Sequence, residues 1–274
     1  MKIDLYFSCW NNEDILGFFF RHYDPVVSRY FAYDDGSTDH TLEILKQHPR
    51  VMVRRLPRPG PDGSFALAPL PIAETAWRET SSAADWVMIC DVDEHLYHAD
   101  LLRYLSDCKR GGITIIPALG YQMLADSLPP DGLLCRQVRR GAPFAAMNKL
   151  NIFSPSDIES LNYEPGRHMA APRGNVLAPD RDELLLMHFK YLGFERVMAR
   201  HAASAARLMP LDLKNGWGHR WCFSREDLER DWEEFDRRAV DVVSEPDPSL
   251  SHVHPRWWNS YRLSSNSSQA VAGE

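Results

Sequence analysis

The strongest constraint on how this chain folds is a regular alternation of strand and helix signals over residues 3–119. "IDLYFSC" (3–9) reads as a strand. "NNEDILGFFFRHY" (11–23) reads as a helix capped by Asn11 or Asn12, with Ile15, Leu16, Phe19 and Phe20 on one face. "SRYFAYD" (28–34) and "DHTLEILKQH" (39–48) repeat the pair, and "VMVRRL" (51–56) is a third strand. The Pro/Gly-rich loop "PRPGPDGS" (57–64) leads into a helix expected over 70–82. "DWVMICDVDEHL" (85–96) is a fourth strand, "DLLRYLSDC" (100–108) a helix and "GITIIPAL" (112–119) a strand. This alternation predicts an α/β fold, a mostly parallel central sheet with helices on both faces.

Beyond residue 120 the pattern loosens. "LLCRQVR" (133–139), "MNKLNIFS" (147–154) and "ELLLMHFKY" (183–191) read as strands, and 193–209 and 224–243 as helices. In the second helix Leu228, Trp232, Phe235 and Val242 are expected to turn inward. The resulting division is a main domain over 1–200, split into 1–120 and 121–200. A helical C-terminal extension follows over 201–263, then a disordered tail over 264–274, polar and without periodicity.

Two acidic clusters stand at predicted strand ends. In "AYDDGSTDHT" (32–41), Gly36 makes a turn and Ser37 or Asp39 caps the next helix. That leaves Asp34 and Asp35 where an open α/β sheet binds its ligand, beyond the carboxyl end of a strand. The fourth strand ends in "CDVDEH" (90–95), and period-two geometry puts Asp91 and Asp93 on one side if the strand continues. Like charges so placed suit a hard divalent cation, magnesium or manganese. A lone D-x-D is most often a solvated strand end, but two clusters on one sheet edge point to a nucleotide and metal pocket.

In order and separation, "CWNNEDILGFFFRHY", "YDDGSTDHTLEIL" and "DVDEHL" resemble glycosyltransferase family 2, in particular a bacterial subgroup with DDGSTD and DxDE motifs. The resemblance covers residues 3–120 well and 147–200 weakly. It implies a GT-A fold and transfer of a sugar from a nucleotide diphosphate donor, a UDP-sugar first, to a glycan, lipid-linked or small-molecule acceptor. It also implies that Asp34 or Asp35 holds the base or ribose, with Asn12 and Glu13 nearby. Asp93 would bind the cation bridging the diphosphate, Mn²⁺ or Mg²⁺, and Asp91 the ribose or sugar, directly or through the cation. The Q-x-x-R-W motif of processive synthases is absent, and "GHRW" (218–221) only partly echoes it. A single-addition enzyme is expected.

Such enzymes often take a further cation ligand from the C-terminal half, which makes His188 and His168 candidates. An inverting transfer needs a carboxylate base for the acceptor hydroxyl. Glu164, Asp180, Asp182 and Glu183 are available, and the last two, just before the His188 strand, are favoured. Lys149 is a candidate for donor phosphate or a plain surface lysine. Trp217, Trp221, Trp257 and Trp258 read as packing residues joining the extension to the main domain.

A net charge of -7, from 31 basic and 38 acidic side chains, argues against nucleic acid as a partner. The 5 cysteines (Cys9, Cys90, Cys108, Cys135, Cys222) are scattered and lack zinc-type spacing, as expected of reduced thiols in a cytoplasmic protein. No stretch reaches the ~20 apolar residues of a membrane span, and "MKIDLYFSCW" is a poor signal peptide. Two rival readings remain. A nucleotidyltransferase would carry a glycine- and basic-rich loop after its first strand, where "SCWNNED" has neither. A non-catalytic sugar-nucleotide-binding module would keep the pocket without the chemistry.

Overall fold

The structure, a computed structural model, describes residues 1–262 except 59, 61, 81, 82, 246, 254 and 255; the tail 264–274 lies outside the described residues. The first strands are β1 (Ile3–Cys9), β2 (Arg29–Asp34), β3 (Val51–Arg55) and β4 (Trp86–Ile89). They pair in parallel in the order β3-β2-β1-β4. Their period-two side chains feed two cores. Ile3, Leu5, Phe7, Tyr30, Ala32, Trp86 and Met88 join the core that holds helix α1 (Leu16–Tyr23) on one face. Tyr6, Phe31, Val87 and Ile89 meet Ile72, Ala73, Ala76 and Trp77 on the other. Both faces are therefore covered, and each large side chain fully removed from water contributes about 1.5–3 kcal/mol.

Several elements depart from the sequence expectation for local reasons. Helix α1 starts at Leu16, because the carbonyl of Asn12 takes the N–H groups of Ile15 and Leu16 in a turn that leaves 10–14 as a loop at the strand end. Helix α2 spans Thr41–Gln47, with Asp39 accepting from the backbone of Thr41. The helix expected over 70–82 is a π-helical turn, Ile72–Ala76, followed by α3 (Trp77–Thr80). The fourth strand is two: the backbone turns at 90–93, and β5 (Glu94–Tyr97) leaves in a new direction. Helix α4 (Leu101–Arg110) follows, capped by Asp100.

In the second half β6 (Ile115–Ala125) is the long strand. "LLCRQVR" forms the short helix α5 (Leu134–Gln137), since its buried residues Leu134, Cys135 and Val138 are spaced i, i+1, i+4 rather than alternating. Then come β7 (Arg140–Pro143), β8 (Lys149–Phe153), a separate ribbon of β9 (Ile158–Ser160) and β10 (Arg173–Gly174), and β11 (Leu185–Leu192). β8 lies antiparallel between β4 and the first part of β6. The second part of β6 pairs in parallel with β11, which pairs antiparallel with β5 and sets His188 opposite Glu94. Gly120 permits this crowding, because a Cβ there would lie 2.4 Å from Met147 backbone.

Helix α6 (Phe194–Ala205) runs through residue 200, so the expected domain line there falls inside a helix. The helices α7 (Pro210–Asn215) and α8 (Arg225–Arg238) follow, and β12 (Val240–Asp241) adds an edge strand beside β7. Leu228, Phe235 and Val242 are buried, Trp232 stacks on Tyr191, and Trp258 is buried in the main core. The described residues after 205 contribute to the same cores as the sheet. No helix among the described residues is long and apolar enough to cross a membrane.

Candidate active site

Parallel register brings the carboxyl ends of β1, β2 and β4 to one edge, with Cys9 beside Asp34 and Tyr6 beside Ile89. The loops that follow, together with β11, α6 and the 216–221 turn, enclose a cavity of about 690 Å³. Trp10, Asn12, Asp35, Asp91, Asp93, Glu94, Lys149, His168 and His188 all line it. Asp34, Glu13, Asp182 and Glu183 do not line it.

The two halves of the DxDE motif have different surroundings. Glu94 is buried and takes the Lys149 ammonium at 2.6 Å and the Arg167 guanidinium at 3.1 Å. Burial opposes its charge, but the two cations win and hold its carboxyl below the usual range. Arg167 also reaches Asp91 at 3.1 Å and the carbonyl of Ile89 at 2.9 Å. Burial and the Glu94 charge push the Asp91 carboxyl upward. Lys149 is therefore a buried partner of Glu94 at the cavity wall, not a surface lysine.

Asp93 faces His188, with Oδ2 3.4 Å from Nε2. Gln122 determines what that contact is. Its Nε2 donates to the carbonyls of His188 (3.0 Å) and Met123 (3.1 Å), so its Oε1 is left to accept from His188 Nδ1 at 2.8 Å. The proton of the neutral ring is thereby assigned to Nδ1, and the lone pair of Nε2 points at a carboxylate oxygen. Two acceptors facing each other need a proton or a cation between them. Burial opposes the Asp93 charge, but when that proton sits on Nε2 the imidazolium charge and its hydrogen bond outweigh the burial and hold the carboxyl below its ordinary range. The Asp91–Asp93 alignment expected of a continuing strand does not occur, because the chain turns between them and Asp91 goes to Arg167. His168 lines the cavity, but its Nδ1 meets the carbonyl of Ala146, and burial pushes its ring down to about 4. It makes no hydrogen bond or ion pair to Asp91, Asp93 or His188 among the described residues.

Positive charge is in excess here. Of the lining cations, Arg196 pairs with Asp14 and Arg220 with Asp231. Arg200 donates to the carbonyls of Asn11 (2.7 Å) and Trp10 (2.6 Å), lies over the Trp10 ring, and has no carboxylate partner among the described residues. Lys190 makes no hydrogen bond or ion pair among the described residues, and burial pushes its ammonium down to about 8. Sequence reasoning missed both. The signals were present: Lys190 is two residues after His188 on a strand and so shares its side, and Arg196 and Arg200 are one helical turn apart.

On the other side of the cavity, Asp34 folds into its own loop, accepting from Gly36 (2.9 Å) and Ser37 (3.2 Å). Gly36 has φ +76, which favours glycine. Asp35 instead faces the cavity and takes Arg207 Nη2 at 2.5 Å. Glu13 turns away to the backbone and ring of His40. Asn12 secures the strand-end turn, its Oδ1 accepting from Trp10 at 2.9 Å.

Neither residue favoured as the acceptor base lines the cavity. Asp182 lies outside the cavity in a buried cluster, accepting from Trp258 Nε1 (2.8 Å) and Arg262 and ion-paired with Arg256 (2.9 Å). Glu183 stands beside Arg181, also outside the cavity. Trp217 and Trp221, expected to pack the extension onto the main domain, line the cavity.

No protein-family profile matches the chain, and no curated protein is significantly similar to it. Solved structures are similar to it at low identity. The crystal structure of S. aureus TarS 1–349 has 12% identity, covering 75% of this chain and 65% of that one at a TM-score of 0.40. Its complex with UDP-GlcNAc aligns with 12% identity over 75% of this chain and 66% of that one at 0.39. A structure described only as a mycobacterial protein has 20% identity over 44% and 41% at 0.29. The chain spans less than two thirds of each of these proteins.

Proposed function

We propose that this chain is a glycosyltransferase that moves a sugar from a nucleotide diphosphate donor, one sugar per encounter and with inversion, with the help of a divalent cation. The observation that carries the reading is the Asp93–His188 pair: a carboxylate and an imidazole lone pair 3.4 Å apart, the ring's tautomer held by Gln122, with Lys190 and Arg200 nearby and without carboxylate partners among the described residues. That combination suits a cation together with a diphosphate.

The donor set fits the cation. Among the described residues no cluster of three or more His, Cys, Asp or Glu side chains forms a closed metal cage. Magnesium characteristically takes one or two protein ligands and completes its shell with substrate phosphates and water. Asp93 and His188 would hold it, and Gln122 orients the histidine from behind. When bound, the cation supplies Lewis-acid stabilisation of the departing diphosphate. The chain's own part is to bind and orient. Lys190 and Arg200 attract the phosphates, and Asp35 offers an acceptor to the base or ribose. Arg167 and Lys149 fix Glu94, which in turn accepts from the Asp91 N–H at 3.0 Å and so sets the turn that presents Asp93.

The test combines titration calorimetry with UDP-, GDP- and TDP-sugars, with and without manganese, and turnover with an acceptor panel. Asp93→Ala is expected to melt within a few degrees of the wild type and to lose on the order of a hundredfold in turnover. Full wild-type activity in excess EDTA, or normal turnover by Asp93→Ala, would reject the cation's role. Release of nucleotidyl products instead of glycosides would reject the reaction class.

A further inference from the structure

The guanidinium of Arg207 occupies an unusual position for a side chain on the link between α6 and α7. Its carbon lies 4.0 Å from the centroid of Trp10 and 4.3 Å from that of Phe65. The two rings make no contact with each other among the described residues, so the cation fills the gap between them. Its Nη2 donates to Asp35 Oδ2 at 2.5 Å and also approaches the Asp35 carbonyl at 3.3 Å. Its Nη1 is buried and has no hydrogen-bond partner among the described residues. Trp10, Phe65 and Asp35 all line the cavity. A flat cationic group thus lies over two aromatic rings with its N–H edge on a carboxylate.

We infer that Arg207 is an internal stand-in for a nucleobase: it fills the slot formed by Trp10, Phe65 and Asp35, and an incoming nucleotide must displace it. The inference rests on the donor reading above and adds to it a competitor built into the chain. The chemistry of the slot also selects its occupant. A planar heterocycle stacks on the two rings as the guanidinium does. The Asp35 carboxylate only accepts, so it prefers a base that presents a ring N–H, as uracil does at N3 and guanine at N1.

Displacement requires little rearrangement of the fold. Arg207 is joined to the wall by its long side chain, and rotation about that chain empties the slot. The backbone on either side is held independently. Asp212 is buried and accepts from the N–H groups of Phe65 (2.9 Å), Ala66 (3.3 Å) and Met209 (2.9 Å), so Phe65 keeps its place when the arginine leaves. The closed slot lowers apparent affinity by the fraction of molecules in which it is open.

The experiment is calorimetric titration of the full chain with UDP and with GDP in manganese buffer, for wild type, Arg207→Ala and Arg207→Lys. Arg207→Ala is expected to bind one of the two on the order of tenfold more tightly than wild type, although it removes a positive charge from an anion site. Arg207→Lys keeps the charge but loses the flat stacking surface, and is expected to fall between. Adding Phe65→Ala or Trp10→Ala to Arg207→Ala should cancel the gain, because those rings are the walls. If wild type binds a nucleotide and Arg207→Ala binds it equally or more weakly, the stand-in is overturned while the donor reading survives. If neither protein binds either nucleotide, both are overturned. A thermal melt of each variant separates lost binding from lost folding.

Discussion

At the scale of single residues, Gln122 holds the most information per atom. A strand amide with 1% exposure would ordinarily be counted as a satisfied core group, yet its two donors are used on carbonyls and its one oxygen dictates the tautomer of His188. If that is its role, replacing it changes cation binding before it changes the fold. Gln122→Met is expected to weaken manganese affinity tenfold to a hundredfold, and Gln122→Glu, which keeps an acceptor opposite Nδ1, to weaken it far less. Manganese titration followed by electron paramagnetic resonance reads this directly. Equal affinity in all three proteins would make Gln122 a packing residue. Asp93 and His188 were legible in the sequence as residues but not as a pair. The register between β5 and β11 that makes them neighbours is a long-range property no local pattern encodes. Arg167 was not legible at all, because a lone arginine in "YEPGRHMA" with a left-handed backbone, φ 59, has no periodic signal.

At the scale of elements, the loops decide the site and one buried carboxylate decides a loop. Asp212 at the start of α7 gathers the N–H groups of Phe65, Ala66 and Met209 and the hydroxyl of Ser64, tying a Pro/Gly-rich loop to a segment far along the chain. Asp212→Ala leaves those donors without an acceptor and is expected to cost about 1–3 kcal/mol. Hydrogen exchange should then accelerate at Phe65, Ala66 and Met209 while the amides of β1 and β4 remain protected. Uniform acceleration would mean that the clasp supports the whole sheet. The first strands and α4 were readable because their apolar residues keep a clean period. The 133–139 segment was misread because its adjacent leucines suit a strand core and a helical turn alike. The D-x-D strand was overextended, since the turn at 90–93 is fixed by side chains from Arg167 and Glu94 rather than by glycine or proline.

At the scale of the whole molecule, the α/β class and the ligand edge followed from the alternation of elements, whereas the joining of the C-terminal residues to the sheet did not, because β12 and Trp258 are held by distant partners. That joining has a measurable pH signature. His201 on α6 is buried, and neither ring nitrogen has a hydrogen-bond partner among the described residues. Burial first, then the charges of Lys190 on β11 and Arg220 in the 219–222 turn, pushes the ring down to about 3. The unfolded chain protonates this histidine near 6.5. Between those values the unfolded state binds the extra proton, so stability falls as pH falls through 6.5 and stops falling below about 3. The slope on this account is at most about 1.4 kcal/mol per pH unit. Urea unfolding at pH 7, 5 and 4 should show wild type losing ground to His201→Leu as acid is added, and a constant difference would refute the assignment. The double pairing of β6 has its own consequence. Its first part closes against β8 and one edge of its second part, "LGYQMLA", against β7, but the other edge waits for β11, which is made last among the strands that build the cavity. On the ribosome the N-terminal half can therefore condense while an apolar strand edge stands open beside it, and that interval is when the nascent protein is most exposed to pairing with the wrong partner.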